Sequence, residues 1–61
     1  MANLSAKEAM FIGDYLASEQ VLVSKYRAMS GQCADATIRT KLEQIASKHQ
    51  QHYDRISNYL K

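Results

Sequence analysis

Apolar positions recur along the second half of this chain in alternating steps of four and three. The series runs Ile38, Leu42, Ile45, His49, His52, Ile56 and Tyr59, spaced 4, 3, 4, 3, 4 and 3 without a slip. That period places all seven side chains on one stripe of an α-helix facing a bundle interior. The first half carries a similar pattern. Ile12, Glu19 and Tyr26 share one heptad register, and Tyr15, Leu22 and Met29 share the other. The spacing predicts two helices, helix 1 over about 5–30 and helix 2 over about 36–59.

Local signals agree with these limits. Ser5 followed by Glu8 fits a capping box, in which the hydroxyl accepts from the third helical amide and the glutamate reaches back to the serine amide. Gly31 is placed to end helix 1 as a left-handed C′ residue. Asp35 is a good N-cap for helix 2 and sets a negative charge at the positive end of its dipole. Lys61 would complement the other end. Gly13 lies inside helix 1 at a cost of about 1 kcal/mol against alanine. The connection from Gln32 to Ala34 is short, so the helices should be antiparallel neighbours.

Length then limits what such a hairpin can be. The chain has 61 residues, which reads as a single helical-hairpin domain over 1–61. Domains this small bury a limited part of their surface and usually need a disulfide, a metal or a partner chain. Cys33 is the sole cysteine, which excludes an intrachain disulfide. Two hairpins packed back to back would enclose a core. The expected fold is therefore all-α, an antiparallel two-helix hairpin dimerising into a four-helix bundle.

Composition adds little to this and excludes some classes. The net charge of +2 and a charged fraction of 23% do not demand a nucleic-acid partner. No apolar run approaches the roughly 18 residues of a membrane span. The stretch Met1 to Ser5 has neither a basic nor an apolar region of a signal peptide, so a cytoplasmic location is expected.

Three polar residues stand where leucine or isoleucine would be ordinary: Glu19, His49 and His52. In an antiparallel hairpin Glu19 lies eleven residues before the end of helix 1 and His49 fourteen after the start of helix 2. At ~1.5 Å per residue their levels differ by about one turn. Glu19 and His49 can then face each other, with His52 one turn on, near the level of Tyr15. The i, i+3 spacing of the histidines puts both imidazoles on one face. A charge in such a place must be paired, solvated, neutralised or bound to metal. Two imidazoles and a carboxylate suit zinc or iron. A hydrogen-bonded Glu–His–Tyr network that fixes helix register is the competing and favoured expectation. Tyr15, Tyr26, Tyr53 and Tyr59 read chiefly as packing residues that can lend hydrogen bonds to it.

Lys41, Lys48 and Arg55, spaced by seven, flank the seam of helix 2. Such a stripe could follow phosphates in a small dimeric nucleic-acid-binding hairpin. Glu43 and Asp54 interrupt the surrounding surface, so cations that lie over the core edge are the expected reading and a nucleic-acid partner is not. Cys33 is expected to be exposed in the turn, where it could cross-link chains in an oxidising setting. No Gly-rich phosphate loop, Ser–His–Asp set or CxxC occurs, so no complete catalytic constellation exists and no enzymatic activity is expected.

The run Asp14-Tyr-Leu-Ala-Ser-Glu19, then Tyr26, Ile38-Arg39 and Leu42, then His49-Gln-Gln-His52, resembles the Coat F family of spore coat proteins. The likeness extends from about Leu4 to Leu60. It also resembles half of a ferritin-like domain such as a rubrerythrin. The resemblance implies a ferritin-like bundle and a structural or assembly protein of the endospore coat. Such a protein is made in the mother-cell cytoplasm, with a second copy and other coat proteins as partners. It carries Glu19, His49 and His52 over as metal positions, for iron or zinc if any cofactor is held. His49 stands where a di-iron bundle would have its second glutamate. The change removes bridging carboxylates, and it argues for a mononuclear site or none rather than a rubrerythrin-like redox centre.

Overall fold

The computed structural model describes residues 3–60. Two helices, α1 (Ala6–Gln32) and α2 (Ala36–Tyr59), pack against each other as a hairpin. The molecule is one hairpin thick, 46 × 15 × 10 Å along its principal axes. Among the described residues no helix is long and apolar enough to cross a membrane. The expected charge at Lys61 lies outside the described residues.

Both helix starts follow from the capping chemistry. Ser5 is extended (φ −69°, ψ 162°), and its Oγ accepts from the Glu8 amide at 3.1 Å. Glu8 Oε1 in turn accepts from the Ser5 amide at 3.1 Å, completing the capping box. The Ser5 amide first, and the Ser5 hydroxyl beside it, hold the Glu8 carboxyl below its ordinary range. Asp35 Oδ1 accepts from the Ile38 amide at 2.9 Å and opens α2 in the same manner.

The end of α1 differs from the expectation. The helix continues through Gly31 to Gln32, two residues beyond the anticipated limit, and Gly31 does not adopt positive φ. The chain reverses instead through extended residues, Cys33 (φ −89°, ψ 123°) and Asp35 (φ −76°, ψ 121°). No left-handed residue is needed by this route. The Cys33 amide donates to the Ser30 carbonyl at 3.1 Å, and Arg39 Nη1 donates to the Cys33 carbonyl at 3.3 Å. Cys33 is half-buried rather than exposed, with its thiol 3.6 Å from the Asp35 carbonyl.

Burial divides each predicted stripe in two. On α1 the inner line is Ile12, Leu16, Glu19, Val23, Tyr26 and Ser30, again in steps of four and three. On α2 it is Leu42, Ala46, His49, Tyr53, Ile56 and Leu60. Among the described residues Val23 and Ala46 are the buried apolar side chains. Tyr15, Met29, Ile38, Ile45 and Tyr59, all expected in the seam, stay exposed. Two helices in contact cover only a narrow strip of each other. A second apolar ridge on each is therefore left over.

Near the turn the seam is polar. Ser30 is buried, and its hydroxyl donates to Glu43 Oε1 at 3.0 Å, with the Arg39 carbonyl at 3.4 Å. The bond ties the last turn of α1 to the second turn of α2. Gly13, by contrast, is helical and faces open space, since an added Cβ meets nothing within 4 Å. Gly13→Ala should therefore raise stability by about 0.5–1 kcal/mol, read from urea unfolding.

Candidate functional site

Glu19 lies at the middle of α1 on the inner line and is only 5% exposed. Its carboxylate is held from three sides. The Tyr15 hydroxyl, one turn earlier, donates to Oε2 at 2.7 Å. His49 Nδ1 lies 2.7 Å from Oε1, and His52 Nδ1 lies 3.0 Å from Oε2. The antiparallel register thus brings Glu19, His49 and His52 together, and Tyr15 completes the set. Tyr26 stacks on the His49 ring, with centroids 5.8 Å apart and planes 9° from parallel. The His49 and His52 rings meet edge to face at 5.8 Å.

The protonation states follow from this geometry. Tyr15's hydrogen bond holds the Glu19 carboxyl below its ordinary value of 4.5, burial opposes it, and the bond and charge of His49 and the charge of His52 assist. Glu19 is therefore ionised at neutral pH, and a carboxylate only accepts. Both imidazoles must then present Nδ1–H to it. Three of its roughly four lone-pair directions are filled. Among the described residues no buried side-chain nitrogen or oxygen lacks a partner. The Tyr15 proton is correspondingly harder to remove: its bond to Glu19, burial and the Glu19 charge raise it above 10.0, against a smaller opposing effect of Arg55.

Tyr15→Phe deletes the largest cause of Glu19's depressed pKa. The depressed value contributes stability that is present above the ordinary glutamate pKa and is lost as pH falls through the folded one. In the variant, that acid loss should begin at the same pH, be complete at a higher one and total less. Thermal midpoints recorded across the acid range check it.

The same donors can be tested against a metal ion. One ligand atom from each of Glu19, His49 and His52 lies within 4.8 Å of the others. A tetrahedral ion with legs of roughly 2.0–2.1 Å would hold nitrogen and oxygen about 3.3 Å apart. The observed separations of 2.7 and 3.0 Å are hydrogen-bond lengths instead. Binding would require both Nδ1 protons to leave and the pairs to open by a few tenths of an ångström. The chemistry of the set fits a borderline cation, and the distances fit direct bonding.

The cluster opens at one side. The His49 side chain is 24% exposed and that of His52 49%, on the flank that carries Tyr15. The Ser30–Glu43 bond was not legible in the sequence. Ser30 falls on the inner four-and-three line, but serine gives no hydrophobic signal.

The fold and site define a class: a short antiparallel helical hairpin whose seam is centred on one carboxylate clasped by two histidines and a tyrosine. The chain is 30% identical over 57 residues to the uncharacterized protein YuzM of Bacillus subtilis (strain 168), across 93% of this chain and 70% of YuzM. It belongs to the same family as YuzM. No protein-family model matches the chain, and no solved structure does.

Proposed function

We propose that the chain is a structural, assembly-forming protein of the spore-coat type, working as a homodimeric helical bundle. The observation that carries this reading is the division of labour along the seam. The inner polar groups are closed on one another, which gives a rigid register without a bound ligand. The outer apolar ridge of Met29, Ile38, Ile45 and Tyr59 is left for another surface. A protein built this way supplies shape and contact area. The Coat F resemblance adds the compartment: synthesis in the mother cell and deposition in the endospore coat.

The test is a fluorescent fusion of the chain expressed in a sporulating host that encodes a family member. The fusion should collect around the forespore and be recovered in the extract that strips the coat. Diffuse mother-cell fluorescence, with none in that extract, would contradict the reading.

A second reading, metal binding, is favoured by the convergence of three donors within 4.8 Å. Zinc or iron would be held by Glu19, His49 and His52 once both Nδ1 protons were lost. Elemental analysis of untagged protein purified without chelator decides it. About one ion per two chains would support a shared site on a dimer axis, and none taken up on titration would remove it.

A further inference from the structure

The uncovered ridge has a composition, an area and a rim, and together they specify its occupant. Tyr15 and His52 bond the same carboxylate oxygen, so their flanks of α1 and α2 form one face of the hairpin. Stepping by seven from them places Leu22 and Met29 on that face from α1, and Ile38, Ile45 and Tyr59 from α2. The levels pair as Met29 with Ile38, Leu22 with Ile45, and Tyr15 with His52. The face is thus layered, aliphatic toward the turn and Tyr–His toward the middle.

The hairpin exposes 4678 Å². A folded monomer of 6.9 kDa is expected to expose about 4,000 Å². The excess of about 700 Å² is close to the roughly 800 Å² that each partner contributes to a standard interface. It arises from a molecule only 10 Å thick, which a second hairpin on this face would double.

Two two-fold arrangements stack such faces. With the turns at the same end, α1 lies over the partner's α2. With the turns at opposite ends, each helix lies over its own copy. The rim separates them. Lys41, Lys48 and Arg55 edge the face on α2, whereas Phe11, Ser18, Lys25 and Gln32 edge it on α1. Opposite-end packing sets the α2 rims against each other, bringing six cations into two facing rows, with no acidic residue in those rows. Like charges so placed are unfavourable. It also lays aliphatic layers over Tyr–His layers. Same-end packing faces the basic rim with the mainly neutral rim of α1, and stacks aliphatic on aliphatic and Tyr–His on Tyr–His.

We infer that this face binds a second copy of the chain, with the two turns at the same end of the resulting four-helix bundle. The inference rests on the assembly reading and adds the surface and the orientation. Sedimentation equilibrium of the intact chain tests the first part. The wild type should be a dimer. Ile38→Glu and Ile45→Glu should weaken it at least tenfold, and Ser24→Glu, exposed and on the side of α1 away from Leu22, should leave it unchanged. Helical circular dichroism confirms folding. Ile38, half-exposed at the start of α2, is the substitution the hairpin itself tolerates best.

Orientation is read from nitroxide labels on Cys33, and again with the label moved by Cys33→Ser and Ala36→Cys. Helix axes ~10 Å apart put same-end labels about 15–25 Å from each other. Opposite-end packing would separate them by nearly the 46 Å length of the hairpin. A monomer, or a dimer indifferent to Ile38 and Ile45, overturns the proposed surface. A dimer sensitive to both but with labels near the long distance overturns the orientation and leaves the assembly reading intact. Loss of coat localisation with the same-end dimer preserved would remove the cellular role alone.

Discussion

Ala46→Leu should destabilise the hairpin by about 1–3 kcal/mol, the usual cost of forcing extra methylenes into a closed contact. Ala46 is 1% exposed, the most buried residue of the inner seam. It lies one turn from His49, on the same line of α2. A leucine there must part the helices or leave its preferred rotamer. At roughly 0.05–0.15 kcal/mol per residue the whole chain has only about 3–9 kcal/mol to lose. The parting should also lengthen the bonds between Glu19 and the histidines. Urea unfolding gives the magnitude. Ala17→Leu, an exposed position on α1, serves as the comparison and should change stability by no more than about 0.5 kcal/mol.

Glu19→Gln should be the most damaging of the polar substitutions, although it preserves shape. The carboxylate accepts from Tyr15, His49 and His52 at once. A glutamine has one acceptor oxygen, and its amide would turn N–H groups toward donors that already carry protons. Stability at neutral pH should fall, and the pH dependence should change in a defined direction. In the wild type the depressed Glu19 pKa contributes stability above 4.5 that is lost as pH drops below it. In Glu19→Gln that part of the acid dependence disappears. A smaller acid loss should remain from Glu8, whose carboxyl is also held low, by the Ser5 cap. Equal acid profiles for variant and wild type would show that the carboxylate is not ionised within the cluster.

Much of this is legible in the residues alone. Period and capping residues gave both helices, and the register arithmetic brought Glu19 opposite His49 with His52 near Tyr15. The choice between flanks was not readable. Each helix carries apolar side chains on both sides of its central line, so Leu16 and Val23 compete with Tyr15 and Leu22 for the interior. What settles the choice is small residues. Ala46 and Ser30 permit close approach, and neither stands out in a hydrophobic pattern. Gly31 misled for a related reason. Glycine commonly ends helices, but here an extended Cys33–Asp35 segment turns the chain and leaves Gly31 inside α1. The site's third hydrogen bond, from Tyr15, needed the one-turn geometry within α1.

Nitrogen NMR of the labelled imidazoles at neutral pH observes directly whether Glu19 is an ionised acceptor for both histidines. Nδ1 of His49 and His52 should each carry a proton, with a coupling to the Glu19 carboxylate across the hydrogen bond for the shorter His49 contact. Those signals should persist unchanged when zinc is added in stoichiometric amount. Unprotonated Nδ1 in both rings, or signals that shift as one ion is taken up, would contradict the closed network and make the cluster a metal site.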